Sequence, residues 1–238
     1  MILCPINSCS NKAASTSCFH SVYVKWLESA GARVVPLRYD LPDAELLRLT
    51  GSVNGILFTG GDTPIIHTHS QYMHAAGVLL NQTIAAEDHF PLWGTCMGIQ
   101  TLSVLVARTS RVMDFGGFDS EDLMLPLDLV ESVQDTGRSS AMFNFYNDPV
   151  LGSLAKIALP WLASQSITNN QHHDGLPPEK FRGNAELDKF FRVLSTNKDR
   201  RGKEFVSTIE ARNGIPVYGV QWHPERPQFE WPAAATDA

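Results

Sequence analysis

A cysteine between two glycines is the residue of this sequence best placed to act as a nucleophile. Gly94-Thr95-Cys96-Met97-Gly98 forms the pattern G-x-C-x-G between an apolar segment typical of a strand and a segment with helical periodicity. Small residues on both sides allow the sharp turn on which a nucleophile is presented. The positive end of the following helix favours thiolate over thiol, as nucleophilic chemistry requires. The alternative is a buried structural cysteine, but the flanking glycines favour the nucleophile.

The base for this nucleophile is expected near the other end of the sequence, in Gln221-Trp222-His223-Pro224-Glu225. Pro224 keeps His223 extended, and residues two apart on an extended chain point the same way. Glu225 can therefore reach the His223 ring, orient it and stabilise its charged form. Nucleophile, base and orienting acid together follow the logic of a catalytic triad. Taken alone, the His-Pro-Glu triplet is equally compatible with a polar turn after a strand.

Acyl transfer also needs donors for the developing oxyanion. The backbone N–H of Met97 is one candidate, because it directly follows the nucleophile. Gly60 and Gly61 follow another apolar segment, and glycine lets a peptide turn its N–H into a cleft without side-chain obstruction. A Gly-Gly pair after a strand is more often a simple turn. Three such elements at three strand ends are less easily explained by chance.

The composition excludes several other classes of protein. The chain has 238 residues, of which 43% are hydrophobic and 18% charged, so it has enough apolar residues for a packed core. The net charge of −6 and the lack of a dense basic stripe exclude nucleic acid as a partner. No apolar run is long enough to span a membrane, and residues 1–20 lack the charged-then-apolar pattern of a signal peptide.

We expect no metal or organic cofactor. Cys4, Cys9 and Cys18 lie close together but have no further metal ligands at useful spacing. His67 and His69 lack a supporting carboxylate or cysteine. A disulfide scaffold is not needed at this size.

Apolar segments typical of strands alternate with segments of helical periodicity in the first half of the sequence. We predict strands over 32–37, 56–58, 90–93, 190–195, 205–210 and 216–222, and helices over 19–30, 42–49, 72–84, 102–106 and, within 147–159, a short one. All-apolar strands alternating with helices indicate an α/β fold with a mostly parallel sheet covered on both faces. Without internal repeats or a linker, residues 1–238 are predicted to form a single domain.

These motifs resemble those of the gamma-glutamyl hydrolase family, which is peptidase family C26. This family belongs to the class I glutamine amidotransferase-like superfamily. G-x-C-x-G and H-P-E mark the superfamily, whereas W-G-T-C, V-Q-W-H-P-E and the later F-E-W are specific to the hydrolases. The matching segments are residues 23–36, 54–58, 93–98, 216–225 and 229–231. The resemblance implies a three-layer sandwich of flavodoxin-like type.

The resemblance also implies an activity, namely hydrolysis of γ-glutamyl bonds in folate polyglutamates through an acyl-enzyme, without a cofactor. Carried over by position, the site residues are as follows: Cys96 the nucleophile, His223 the base and then proton donor, Glu225 the third member, Gly61 and Met97 the oxyanion donors, and Gly60, Gln100 and His172 the substrate-binding residues. The resemblance implies a lysosomal, vacuolar or secreted protein and is compatible with a homodimer. The lack of a signal-peptide pattern leaves a cytoplasmic location as the alternative. In contrast to the usual family pattern, Thr59 stands where a proline precedes the Gly-Gly pair.

Two other functions are compatible with the same motifs. A glutaminase that passes ammonia to a synthetase would need a synthetase partner. A catalytically inert, shortened relative could act as a binding protein, although it would have no need to keep Cys96, His223 and Glu225 together.

Overall fold

The computed structural model describes residues 1–4, 18–134, 140–143 and 152–230. The strands are β1 (Ile2–Cys4), β2 (Pro36–Arg38), β3 (Ile56–Phe58), β4 (Leu92–Thr95), β5 (Ser120–Leu125), β6 (Asp128–Leu129), β7 (Thr168–His172), β8 (Phe191–Lys198), β9 (Glu204–Ala211) and β10 (Val217–Val220). The helices are α1 (Ser21–Ser29), α2 (Asp43–Thr50), α3 (Gln71–Ala85), α4 (Met97–Ala107), α5 (Glu131–Gln134), α6 (Gly152–Ser164), α7 (Pro178–Arg182) and α8 (Ala185–Phe190).

Among the described residues, eight strands form one mixed sheet in the order β2-β1-β3-β4-β10-β9-β8-β6. The five strands from β2 to β10 in this order run parallel, and β9, β8 and β6 continue the sheet antiparallel. β5 and β7 form a separate antiparallel pair. The predicted α/β class with a largely parallel central sheet is confirmed.

Helices pack on both faces of the sheet, as side-chain alternation along the strands requires. Ile56 and Phe58 of β3 join the larger core cluster with α3 and α4, whereas Leu57 between them joins a second cluster with α1. A third cluster lies beneath the antiparallel strands and contains Leu129 and Leu194. β3 is therefore buried on both sides, which explains its uninterrupted apolar sequence.

Most of the predicted helices and strands exist, with shifted ends. The predicted strand over 32–37 is wrong in its start, because β2 pairs only with the three residues of β1. The predicted strand over 90–93 is observed two residues later, as β4. Residues 147–151 of the predicted short helix lie outside the described residues, and α6 covers the rest.

The sequence analysis missed the β5–β7 pair. Its inward-facing residues on β7 are Thr168, Asn170 and His172, all buried and all polar. Hydrophobic periodicity cannot detect a strand whose buried face is polar. In the described part of the chain, no helix is long and apolar enough to cross a membrane.

Candidate active site

Three neighbouring strands end at one edge of the sheet, and the segments that follow them meet there. β4 pairs in parallel with β3 on one side and β10 on the other. Cys96 directly follows β4, Gly60 comes two residues after β3, and His223 three residues after β10. The topology thus brings together residues that lie far apart along the sequence.

The turn at Cys96 is made by the cysteine itself. Its backbone has φ 52° and ψ −109°, in a region that side chains rarely adopt, and its N–H donates to the carbonyl of Val220 at 2.8 Å. The flanking glycines serve close packing. A Cβ at Gly98 would lie 2.3 Å from the carbonyl oxygen of Phe58, and one at Gly94 would lie 2.7 Å from the carbonyl carbon of Gly98.

His223 and Glu225 contact each other directly, as their spacing predicts. His223 Nδ1 lies 2.6 Å from Glu225 Oε1, and both side chains are buried. Burial lowers the pKa of His223, but the Cys96 thiolate and Glu225 together outweigh burial and raise this pKa to about 9. The imidazolium is therefore favoured at neutral pH. The other ring nitrogen, Nε2, is buried and has no hydrogen-bond partner of good geometry among the described residues.

Gly60 marks the place where the cysteine and the histidine meet. A Cβ at this position would lie 2.9 Å from Cε1 of His223 and 3.3 Å from Cβ of Cys96. All three residues line one cleft of about 270 Å³. The sulfur and the imidazole are therefore neighbours, although their positions in the sequence differ by 127.

Tyr23 is a site residue that the sequence analysis missed. Its hydroxyl accepts a hydrogen bond from the Gly60 N–H at 2.8 Å and lies 3.5 Å from His223 Nδ1. Burial and the nearby Glu225 and Cys96 charges raise the pKa of Tyr23 well above its usual value, so the hydroxyl keeps its proton. In the sequence, Tyr23 falls on the apolar face of the first helix, where a core aromatic is expected; its hydroxyl at the sheet edge gives no separate signal.

The expected oxyanion donors differ in availability. Gly60 donates its N–H to Tyr23, whereas Gly61 lines the cleft and is exposed. Met97 is the first residue of α4, where backbone N–H groups have no partner within the helix. Gly61 and Met97 stay the predicted oxyanion donors.

Gln100 and His172 lie behind the sulfur, in a buried layer that does not line the cleft. Both donate to the carbonyl of Asp174, from Gln100 Nε2 at 3.0 Å and from His172 Nδ1 at 2.9 Å. His172 packs edge-on against Phe205. Burial, with a smaller effect of the nearby His223 charge, lowers the pKa of His172 to about 4, so the ring is neutral at pH 7.

Charged side chains of both signs surround the mouth of the cleft. The acids are Asp62 and Glu121. Arg226 is half-buried and lies 3.5 Å from Glu230, which in turn lies 4.0 Å from His20. A search of the described residues finds no group of three histidine, cysteine or acidic side chains that could hold a metal ion.

Known proteins are similar to this chain over most of its length. A family model described as Peptidase C26 matches residues 5–225. Gamma-glutamyl hydrolase from Mus musculus is 38% identical over 231 residues, which cover 95% of this chain and 67% of that protein. The Homo sapiens gamma-glutamyl hydrolase is 41% identical over 213 residues, which cover 88% of this chain and 61% of that protein. Gamma-glutamyl hydrolase 1 from Arabidopsis thaliana is 31% identical over 216 residues, covering 90% and 57%. The chain thus spans 57% to 67% of the length of these relatives.

Proposed function

Because the chain belongs to the peptidase C26 family, we propose that it is a cysteine-dependent γ-glutamyl hydrolase acting on folate polyglutamates. The observation that carries this proposal is the buried Cys96, His223 and Glu225 constellation at the edge of the parallel strands. A thiolate beside an imidazolium is a ready nucleophile and proton donor pair. The names of the similar proteins supply the γ-glutamyl substrate class.

The reaction follows from the positions of these groups. The Cys96 thiolate attacks the γ-amide carbonyl, and the oxyanion is held by the N–H groups of Gly61 and Met97. The protonated His223 then gives its proton to the leaving amine as the C–N bond breaks. In the second half, neutral His223 takes a proton from water, which attacks the thioester. The C–S bond then breaks, which releases the shortened product as its γ-carboxylic acid and restores the Cys96 thiolate and the protonated His223. Glu225 holds the imidazole throughout.

The charge of the substrate suggests a role for Arg226. Each residue of a γ-linked chain carries a free α-carboxylate, and a guanidinium binds carboxylates through paired hydrogen bonds. Arg226 lines the cleft and forms an ion pair with Glu230 at 3.5 Å. We assign it the α-carboxylate of a bound glutamyl residue.

The disulfide bond of Cys18 supports a lysosomal, vacuolar or secreted location. Disulfides persist in oxidising compartments and are rare in the cytosol. Cys96 is free, as its proposed role demands. Fractionation of cells that produce the protein, with detection of the Cys18 disulfide under non-reducing conditions, tests this location.

The substrate assignment is tested by incubating the purified protein with folate pentaglutamate or with glutamine and following products by mass spectrometry. We expect shortened folates and little ammonia from glutamine. Faster turnover of glutamine would support the glutaminase alternative, and turnover of neither substrate would support the inert one.

Arg226→Gln should raise KM for the polyglutamate. The control is Arg108→Gln, which replaces an exposed arginine after α4 and should leave KM unchanged.

A further inference from the structure

Behind the Cys96 sulfur lies a short chain of amide hydrogen bonds. The side-chain nitrogen of Gln221 donates to Cys96 Sγ at 3.6 Å, and Gln221 Oε1 accepts from Gln100 Nε2 at 3.2 Å. Gln100 Nε2 also donates to the Asp174 carbonyl at 3.0 Å. Gln221 and Gln100 are only 1% and 4% exposed, so water does not compete for these groups.

We propose that Gln221 is a positioning residue for the nucleophile: its amide N–H stabilises the Cys96 thiolate, and Gln100 with the Asp174 carbonyl fixes the direction in which that amide points. The inference rests on the proposed role of Cys96 as the nucleophile. In this proposal Gln100 acts in the free enzyme by orienting the Gln221 amide, and it does not contact the bound glutamyl group.

The Asp174 carbonyl determines the orientation of both glutamine amides. A backbone carbonyl can only accept, so Gln100 must present its NH₂ group to Asp174. The second N–H of that group then meets Gln221, which must present its oxygen. Consequently the NH₂ group of Gln221 faces the sulfur. Turning the Gln221 amide over would place NH₂ against NH₂ and a carbonyl oxygen against the sulfur, leaving buried groups unpaired at both ends.

A second contact of the sulfur shows why the protonation state matters. The carbonyl of Gln171 lies 3.8 Å from Cys96 Sγ. It can accept from a thiol S–H but repels a thiolate. The Gln221 N–H does the opposite, since a donor stabilises the charged form. Gln221 therefore favours the reactive form of the cysteine against its other neighbour.

The backbone holds both glutamines in register. Gln100 lies four residues after Cys96, one turn along the same face of α4. The N–H of Gln221 donates to the Ser207 carbonyl on β9 at 2.8 Å. Gln100 thus lies on α4 and Gln221 at the edge of the sheet, and a shift of either element would break the hydrogen bond between them.

The test measures alkylation of Cys96 by iodoacetamide against pH in the free enzyme, quantified by mass spectrometry of the peptide that contains Cys96. For Gln221→Met, which keeps side-chain length but removes the amide, we expect the half-maximal rate to move up by about one pH unit. Gln221→Glu should move it further in the same direction. Gln100→Met should give a smaller upward shift, because Gln221 keeps its N–H but loses its orientation.

Ser103→Ala is the matched control. Ser103 is buried on the same helix, and its hydroxyl donates to the Ile99 carbonyl one turn earlier at 2.8 Å. Its pH profile should equal that of the unaltered protein. Circular dichroism and thermal melting of each variant establish that the fold is retained, and Gln221→Glu decides the question if Gln221→Met does not fold.

Unchanged alkylation profiles in the folded Gln221 variants would overturn the inference. So would a Gln100→Met variant that raises KM for a γ-glutamyl substrate while alkylating normally, since that result would place Gln100 against the substrate. Because alkylation is measured without substrate, absence of hydrolysis would refute the proposed function and leave this inference to be decided separately.

Discussion

At the scale of single residues, the site depends on how Cys96 and His223 share a proton. Cys96 occupies a backbone conformation that few side chains adopt, and it does so beside a buried imidazole paired with Glu225. Because the pKa of His223 is raised to about 9, the proton sits on the imidazole over the neutral range. The acylation step needs that proton for the leaving amine. Replacing Glu225 should therefore change the pH dependence of the activity.

We predict that kcat/KM falls as pH rises through about 9, where His223 loses its proton. Glu225→Gln removes a negative charge that raises this pKa, so the midpoint of the basic limb should move to lower pH, by roughly one unit. The measurement is the pH profile for a γ-glutamyl dipeptide of folate. Glu45→Gln, at an exposed pair with Arg48, should leave the midpoint in place. A basic limb that stays near 9 without Glu225 would contradict the assignment.

The sequence predicts some of these residues and not others for a physical reason. Cys96, His223 and Glu225 can be predicted because local spacing limits their geometry. Tyr23 and Gln221 cannot, since each lies in a segment whose pattern indicates only a core helix or strand. Their roles depend on which strand ends become neighbours, and the order of strands in the sheet cannot be predicted from the sequence of any single segment.

At the scale of helices and strands, close packing between α4 and β3 holds the turn that carries the nucleophile. A Cβ at Gly98 would lie 2.3 Å from the Phe58 carbonyl oxygen and 3.0 Å from its carbonyl carbon. Both atoms are backbone, so the start of α4 or the end of β3 must move to accept a side chain. Cys96 and the Gly60–Gly61 turn are attached to these two ends.

Gly98→Ala should therefore destabilise the protein by about 1–3 kcal/mol and lower kcat, because overpacking displaces the nucleophile from the oxyanion donors. The matched change is Gly77→Ala in α3, where the nearest atom to a new Cβ is Leu105 Cδ2 at 3.5 Å, an ordinary contact. That variant should gain roughly 0.5–1 kcal/mol, as alanine favours a helix over glycine. Urea denaturation and steady-state kinetics measure both. Equal stability of the two variants would show that α4 and β3 are not packed this closely.

Apolar periodicity predicts the elements that carry the catalytic edge, because β3, β4, α3 and α4 are buried and either uniformly apolar or amphipathic. It fails for β7, whose buried residues are polar. The parallel part of the fold is therefore predictable, and the pair β5–β7 that carries Gln171 and His172 is not.

At the scale of the whole molecule, a buried neutral histidine couples stability to pH. The pKa of His172 is about 4 in the folded protein and near 6.5 when exposed. The unfolded chain therefore binds a proton at a pH where the folded chain does not, and acid favours unfolding. The loss starts near pH 6.5 and is complete below about 4.

We predict that this one group costs the folded state roughly 3 kcal/mol between pH 6.5 and pH 4. His172→Asn keeps a donor for the Asp174 carbonyl but does not titrate, so its free energy of unfolding should fall less over that interval. Urea denaturation at several pH values makes the comparison, with exposed His74→Asn as the control. Parallel curves for the unaltered protein and His172→Asn would contradict the buried, neutral state of His172.

The central claim is that one sulfur, on Cys96, carries the hydrolysis of the γ-glutamyl bond. The most direct measurement is the initial rate of folate pentaglutamate cleavage by the unaltered protein and by Cys96→Ala, with the circular dichroism and melting temperature of the two compared. The account predicts a measurable rate for the first, none above background for the second, and the same fold for both. Cleavage that continues in a folded Cys96→Ala protein would contradict it.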